Sequence, residues 1–125
     1  MAVLRIVANI AAADPHAARA FYQDLLGLEP VMDHGWIVTY AGQVSQTPQL
    51  SLASEGGNGT PVPDLSIEVD NVDEVHVRAV AAGYATVYGP ADEPWGVRRF
   101  FLRDPLGRLV NILSHADEFK PLGPQ

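Results

Sequence analysis

The sequence predicts an α+β fold: two βαβββ modules, each a small curved mixed sheet with one helix on its apolar face. Three observations carry that expectation. Residues 64–69 alternate strictly, Leu65, Ile67 and Val69 against Asp64, Ser66 and Glu68, which is the period of a half-buried strand. A capped amphipathic segment follows and is closed by Gly83. The same order of signals occurs about 56 residues upstream, where Gly27 holds the place of Gly83. At 125 residues the chain has the length of one domain, with module 1 at about 3–54, a linker at about 55–62, module 2 at about 63–115 and a tail at 116–125.

Taken in order, residues 3–10 have strand character, with Leu4, Ile6, Ala8 and Ile10 on one face and Arg5, Val7 and Asn9 on the other. Asp14-Pro15 is a helix start, an N-cap with proline at the first helical position. That helix is expected to run to about Leu26 on a stripe of Ala17, Ala20, Phe21 and Leu25, with Gly27 as its stop. Residues 28–32, 36–41 and 49–53 follow as strands, with a turn at Asp33-His34-Gly35. Residues 54–61 have the composition of a flexible linker. In module 2, Asn71 and Glu74 cap a helix whose Val72, Val75, Ala79 and Val80 face inward. Strands at 85–88, 97–103 and 109–114 complete it. With one face of each sheet taken by a helix, the opposite faces are expected to turn toward each other around a cleft. Alternation alone leaves those faces either solvated or lining a pocket.

Composition narrows the function classes. The formal net charge of −7 argues against nucleic-acid binding, which needs clustered Lys and Arg. An acidic surface suits a cationic small molecule or simply keeps the protein soluble. The absence of cysteine removes thiolate metal sites and Cys nucleophiles, and fits a cytoplasmic protein. No stretch has the length and apolarity of a membrane span, and no secretion leader is read at the N-terminus.

The most specific signal is Trp95-Gly96-Val97-Arg98-Arg99-Phe100-Phe101-Leu102-Arg103-Asp104-Pro105-Leu106-Gly107-Arg108: a strand, a tight Asp-Pro-x-Gly turn and the start of a second strand. Together with Ala20-Phe21-Tyr22-Gln23-Asp24-Leu25-Leu26-Gly27-Leu28 it resembles the glyoxalase/bleomycin-resistance/dioxygenase superfamily, the vicinal oxygen chelate proteins, over nearly the whole chain to His115. The resemblance implies a βαβββ unit used twice and a cleft that serves as a pocket. Glu93-Pro94-Trp95-Gly96, leading into the hairpin, looks particularly like bleomycin-resistance proteins. Those are acidic, strand-exchanging dimers that sequester a cationic drug without chemistry, so a homodimer is implied here.

Metal-dependent members of that family use four ligands, usually His, Glu or Gln. Carried across, the positions fall near Val7, Gln49 or Ser51, Asp64 and Asn111. Val7 has no donor, and only Asp64 is anionic, whereas a divalent transition metal wants imidazole or several carboxylates. Shifting the first strand to Arg5 or Asn9 does not rescue the site. His16, His34, His76 and His115 show no i, i+4 pair. The expectation is therefore a protein with no metal and no cofactor.

Without metal, the candidates are ligand-binding side chains: Asn9, Trp36, Tyr40, Gln49, Ser51, Asp64, Ser66, Trp95, Arg99 and Asn111. Trp36 and Tyr40 are expected on one strand face. Aromatic surface with a few polar groups suits a planar or extended ligand. Asp64 would fix a cationic or donor group, and Arg98 or Arg99 a carboxylate or phosphate. The leading reading is a metal-free binder of an aromatic or cationic small molecule, such as an antibiotic or metabolite it sequesters. The alternative is a glyoxalase-like lyase or isomerase, or a ring-cleaving dioxygenase, with an atypical metal site. A metal-free enzyme with Asp64 or Glu68 as general base is a third reading.

Overall fold

The computed structural model describes residues 4–5, 7–43 and 49–115, and its fold is α+β, with two sheets and few helices. The chain divides into two compact units, Met1–Val62 and Pro63–Gln125.

In the first unit, Asp14 opens the helical region as expected, its Oδ1 accepting the His16 amide at 3.0 Å and its carbonyl the Ala17 amide. Regular winding is confined to a π-helical segment, Ala20–Leu25, that buries Phe21, Tyr22 and Leu25. The expected helix from Pro15 is thus corrected to a series of turns ending in this short segment. Gly27 takes φ 76° and ends it, a conformation a side chain would strain. Strand β1 (Glu29–Asp33) pairs antiparallel with β2 (Val38–Ala41) across the His34-Gly35 turn. Asp33 Oδ1 accepts the Gly35 amide there.

Two strand expectations in this unit are corrected. The described part of residues 3–10, and residues 49–53, carry no regular secondary structure, and Leu4, Leu50 and Leu52 are exposed. Alternation specifies which residues share a face, but a strand also needs a ladder partner. Among the described residues of this unit, β1 and β2 alone pair.

The second unit follows its expected plan closely. Strand β3 (Leu65–Glu68) leads through α1 (Val72–Ala81) to β4 (Thr86–Asp92), β5 (Val97–Arg103) and β6 (Leu109–His115). The sheet order is β3-β6-β5-β4, with β3 parallel to β6 and the other pairs antiparallel. Asn71 caps α1 by accepting the Glu74 amide at 3.1 Å. Val72 and Ala79 are buried, whereas Val80, expected inward, is exposed. Its place on the stripe is taken by His76, whose ring meets Phe100 edge-on at 4.8 Å.

The helix-side face of the sheet is the core. Register aligns Ile67, Ile112 and Phe100 in one row and Leu65, Val110 and Leu102 in the next. Phe100, Leu102, Val110 and Ile112 are fully buried, each contributing roughly 1.5–3 kcal/mol by removal from water. The β5–β6 hairpin turns on Asp104, whose Oδ1 accepts the amides of Leu106 and Arg108 at 2.9 and 2.8 Å. That is the Asp-Pro-x-Gly turn the sequence announced.

Candidate functional site

Because β5 alternates, packing Phe100 and Leu102 toward α1 sends Val97, Arg99, Phe101 and Arg103 to the other face. Register carries this face across the sheet in two rows: Ser66, Asn111, Phe101 and Tyr88, then Glu68, Leu113, Arg99 and Ala91.

Arg99 is the centre of the face. Its guanidinium lies 4.8 Å from the Phe101 ring centroid, 5.0 Å from Trp95 and 5.4 Å from Tyr88. Its Nε donates to Glu93 Oε2 at 2.6 Å, and the Tyr88 hydroxyl donates to the same oxygen at 2.7 Å. Both partners of the ion pair are buried. The turn between β4 and β5 delivers this acid: the Glu93 amide donates to the Val97 carbonyl, and Gly96, at φ 96°, returns its amide to the Glu93 carbonyl. Trp95, in the same turn, covers Arg99 with one face and remains half exposed.

Beside this cluster, Asn111 is 7% exposed. Its Nδ2 donates to Ser66 Oγ at 3.1 Å, while its Oδ1 is buried and has no hydrogen-bond partner. Ser66 is exposed on the edge strand β3. Glu68 is bonded to His115 Nδ1 at 2.8 Å, both at the exposed margin.

Other candidates take different roles. Asp64 Oδ2 accepts the Leu109 amide at 2.9 Å, clamping the start of β3 to β6. Arg98 is on the helix side, paired with Asp73 at 3.0 Å and Asp92 at 3.3 Å, so it is withdrawn from the face Arg99 occupies. In the first unit, Trp36 lies exposed in the bend before β2, which corrects its expected sharing of a strand face with Tyr40. The Tyr40 ring packs against Tyr22 of the π-helical segment, centroids 6.1 Å apart. Asn9, Gln49 and Ser51 are exposed and outside any regular element.

Sequence reasoning did not single out Glu93, Tyr88 or Phe101 as site residues. The available signal was parity: Arg99 and Phe101 share a face of β5, and a buried Arg demands an acid, which the Glu93-Pro94-Trp95-Gly96 turn supplies.

The model of the Glyoxalase/Bleomycin resistance protein/Dioxygenase superfamily matches residues 4–112. The chain belongs to that superfamily. CFP32, a candidate glyoxylase of Mycobacterium tuberculosis and Mycobacterium bovis, is 32% identical over 111 residues, which cover 83% of this chain and 41% of CFP32. The chain thus spans less than half the length of these curated relatives. Among solved structures, a superfamily member from Sphaerobacter thermophilus aligns with a TM-score of 0.66 at 26% identity, over 92% of this chain and 98% of that one. TnmS3, an antibiotic binding protein from Streptomyces sp. CB03234, aligns at 0.63 and 22% identity, over 85% and 90%. At that identity the likeness is one of fold.

The resemblance carries the superfamily's metal ligands to Val7, Gln49 or Ser51, Asp64 and Asn111. Val7 has no donor atom, Gln49 or Ser51 is neutral, Asn111 is an amide, and the Asp64 carboxylate already holds the Leu109 amide. This set does not fit a divalent transition ion. Among the described residues, no three His, Cys, Asp or Glu side chains gather as an ion site. No described helix is long and apolar enough to cross a membrane.

Proposed function

We propose that this superfamily member is a metal-free small-molecule-binding protein that sequesters an antibiotic or metabolite with a flat aromatic part. One observation carries the reading: a single sheet face in which an aromatic cluster around Arg99 adjoins Asn111, a buried amide with an unmet acceptor. Trp95 offers its open side for stacking, worth about 0.5–1.5 kcal/mol beyond area burial. The charge of Arg99 is offset by Glu93, so the cluster favours a neutral ring. A cationic group on the ligand would find Glu68 at the margin instead. The same reading takes the protein as a cytoplasmic homodimer; the exposed Leu50, Leu52 and Trp36 of the first unit support a partner surface there.

The test is a titration with bleomycin-type glycopeptides and a panel of aromatic metabolites, followed by tryptophan fluorescence. Saturable quenching that disappears in Trp95→Leu supports the proposal. Absence of any binder across the panel sinks it.

A second reading, a glyoxalase-like lyase or isomerase with an atypical metal site, is favoured by the identity shared with CFP32. Metal analysis of protein purified without chelators separates the two. Stoichiometric Ni, Zn, Fe or Mn, lost in Asp64→Ala, selects the enzyme.

A further inference from the structure

A buried carbonyl oxygen without a partner costs about as much as a lost hydrogen bond, so its presence in a well-packed sheet calls for a reason. Asn111 Oδ1 is such an atom. Its side chain is held in place by the Nδ2 bond to Ser66, and its row neighbour Phe101 is fully buried. The amide is therefore oriented, with its acceptor unspent. Ser66 beside it is exposed, on the strand that ends this sheet among the described residues. Arg99 is its diagonal neighbour, at roughly 7–8 Å by strand geometry, and Trp95 stacks on Arg99.

The charge of the group this oxygen receives also follows. Burying an ion against a neutral amide requires a counter-charge nearby. The Arg99 charge is matched by Glu93, and Glu68 is exposed, bonded to His115 and screened by solvent. A neutral donor meets the requirement without one.

We propose that Asn111 is the specificity-determining residue of this face, its amide oxygen accepting a hydrogen bond from an uncharged N–H or O–H group on a planar ligand, with Ser66 as its positioning residue. The inference rests on the binding reading above and names the ligand chemistry that reading lacks.

The experiment uses matched probes that differ only in that proton: 2-naphthol against 2-methoxynaphthalene, and 2-quinolone against its N-methyl derivative. Binding to the full chain is followed by the NMR shifts of the Asn111 side-chain amide and the Trp95 indole N–H. The donor-bearing member of each pair is expected to bind about tenfold more tightly, the range of one buried hydrogen bond. Asn111→Leu should abolish the difference to within about twofold while the Trp95 shift persists, and Asn111→Asp, which keeps the acceptor, should retain it. Ser66→Ala should narrow it, and serves as the test should Asn111→Leu fail to fold. Equal affinities within each pair, tighter binding of the methylated member, or a preference surviving in Asn111→Leu overturns the inference, while Trp95 shifts in those samples leave the binding reading standing. No shift at Trp95 with any probe overturns both.

Discussion

Replacing Glu93 with alanine removes the carboxylate that lies 2.6 Å from the Arg99 Nε and takes the Tyr88 hydroxyl bond with it. The side chains of Arg99 and Glu93 are 5% and 1% exposed, so the guanidinium cannot turn to water without opening the β4–β5 turn. Removing one member of a buried pair costs about 3–5 kcal/mol, because the remaining charge keeps its desolvation penalty. The three rings around the guanidinium are present in parent and variant alike, so their cation–π contacts leave this loss unchanged and its lower end is taken. The net loss should be near 3 kcal/mol, a large share of the roughly 5–15 kcal/mol that holds a domain. At about 2.1 cal/mol/K per residue, the unfolding entropy of 125 residues converts this into a Tm drop of about 11 °C. Urea unfolding followed by circular dichroism, with calorimetry beside it, measures both quantities. The control is Glu93→Met with Arg99→Met, an apolar pair of comparable volume, which should return to within about 1 kcal/mol of the parent. A Glu93→Ala loss below about 1 kcal/mol would refute the reasoning, as would a double variant no better than Glu93→Ala alone.

Two further outcomes are expected. In the first unit, His16 Nε2 lies 3.0 Å from Asp33 Oδ2. The bond to Asp33 raises the His16 pKa above 6.5, while the Gly35 amide and His16 lower that of Asp33 below 3.8. The His16 contribution is complete below 6.5 and fades as pH rises through its raised value; the Asp33 contribution is complete above 3.8 and fades as pH falls through its lowered value. The pair is therefore strongest between those two ordinary values, and NMR titration of Asp33→Asn should show the His16 pKa falling, with the smaller upward pull of Asp14 left in place. An unchanged His16 curve would dismiss the pairing. In the second unit, Asp104→Ala leaves the Leu106 and Arg108 amides without their acceptor and should cost about 1–3 kcal/mol in urea unfolding, with fast amide exchange confined first to the hairpin turn; protection equal to the parent would contradict it.

The second unit was legible in the sequence almost element by element, because its signals are local. Asn71 with Glu74, the strict alternation before them, and Asp104-Pro105-Leu106-Gly107 each specify geometry within a few residues. The first unit was less legible. Its alternating N-terminal segment and residues 49–53 have apolar patterns without ladder partners among the described residues, and Trp36 fell outside the strand that carries Tyr40. For the candidate site, Ser66 and Asn111 were chosen by face, and Trp95 and Arg99 by residue type at the hairpin; Ser66, Asn111 and Arg99 lie on one face of one sheet, with Trp95 of the β4–β5 turn against Arg99. Glu93 and Tyr88 were missed, because their role depends on the angle at which the β4–β5 turn returns to the sheet.

The order of residues by itself determined the superfamily, the βαβββ plan of the second unit and the acidic balance, since each is a matter of residue identity and short-range period. Which arginine would be buried, which acid would meet it and which amide would keep an unspent oxygen were decided only in three dimensions. Neighbouring arginines, Arg98 and Arg99, show the reason: successive strand residues point to opposite faces, and only the packing of α1 on one of them sends Arg98 to surface carboxylates and Arg99 into an aromatic cluster.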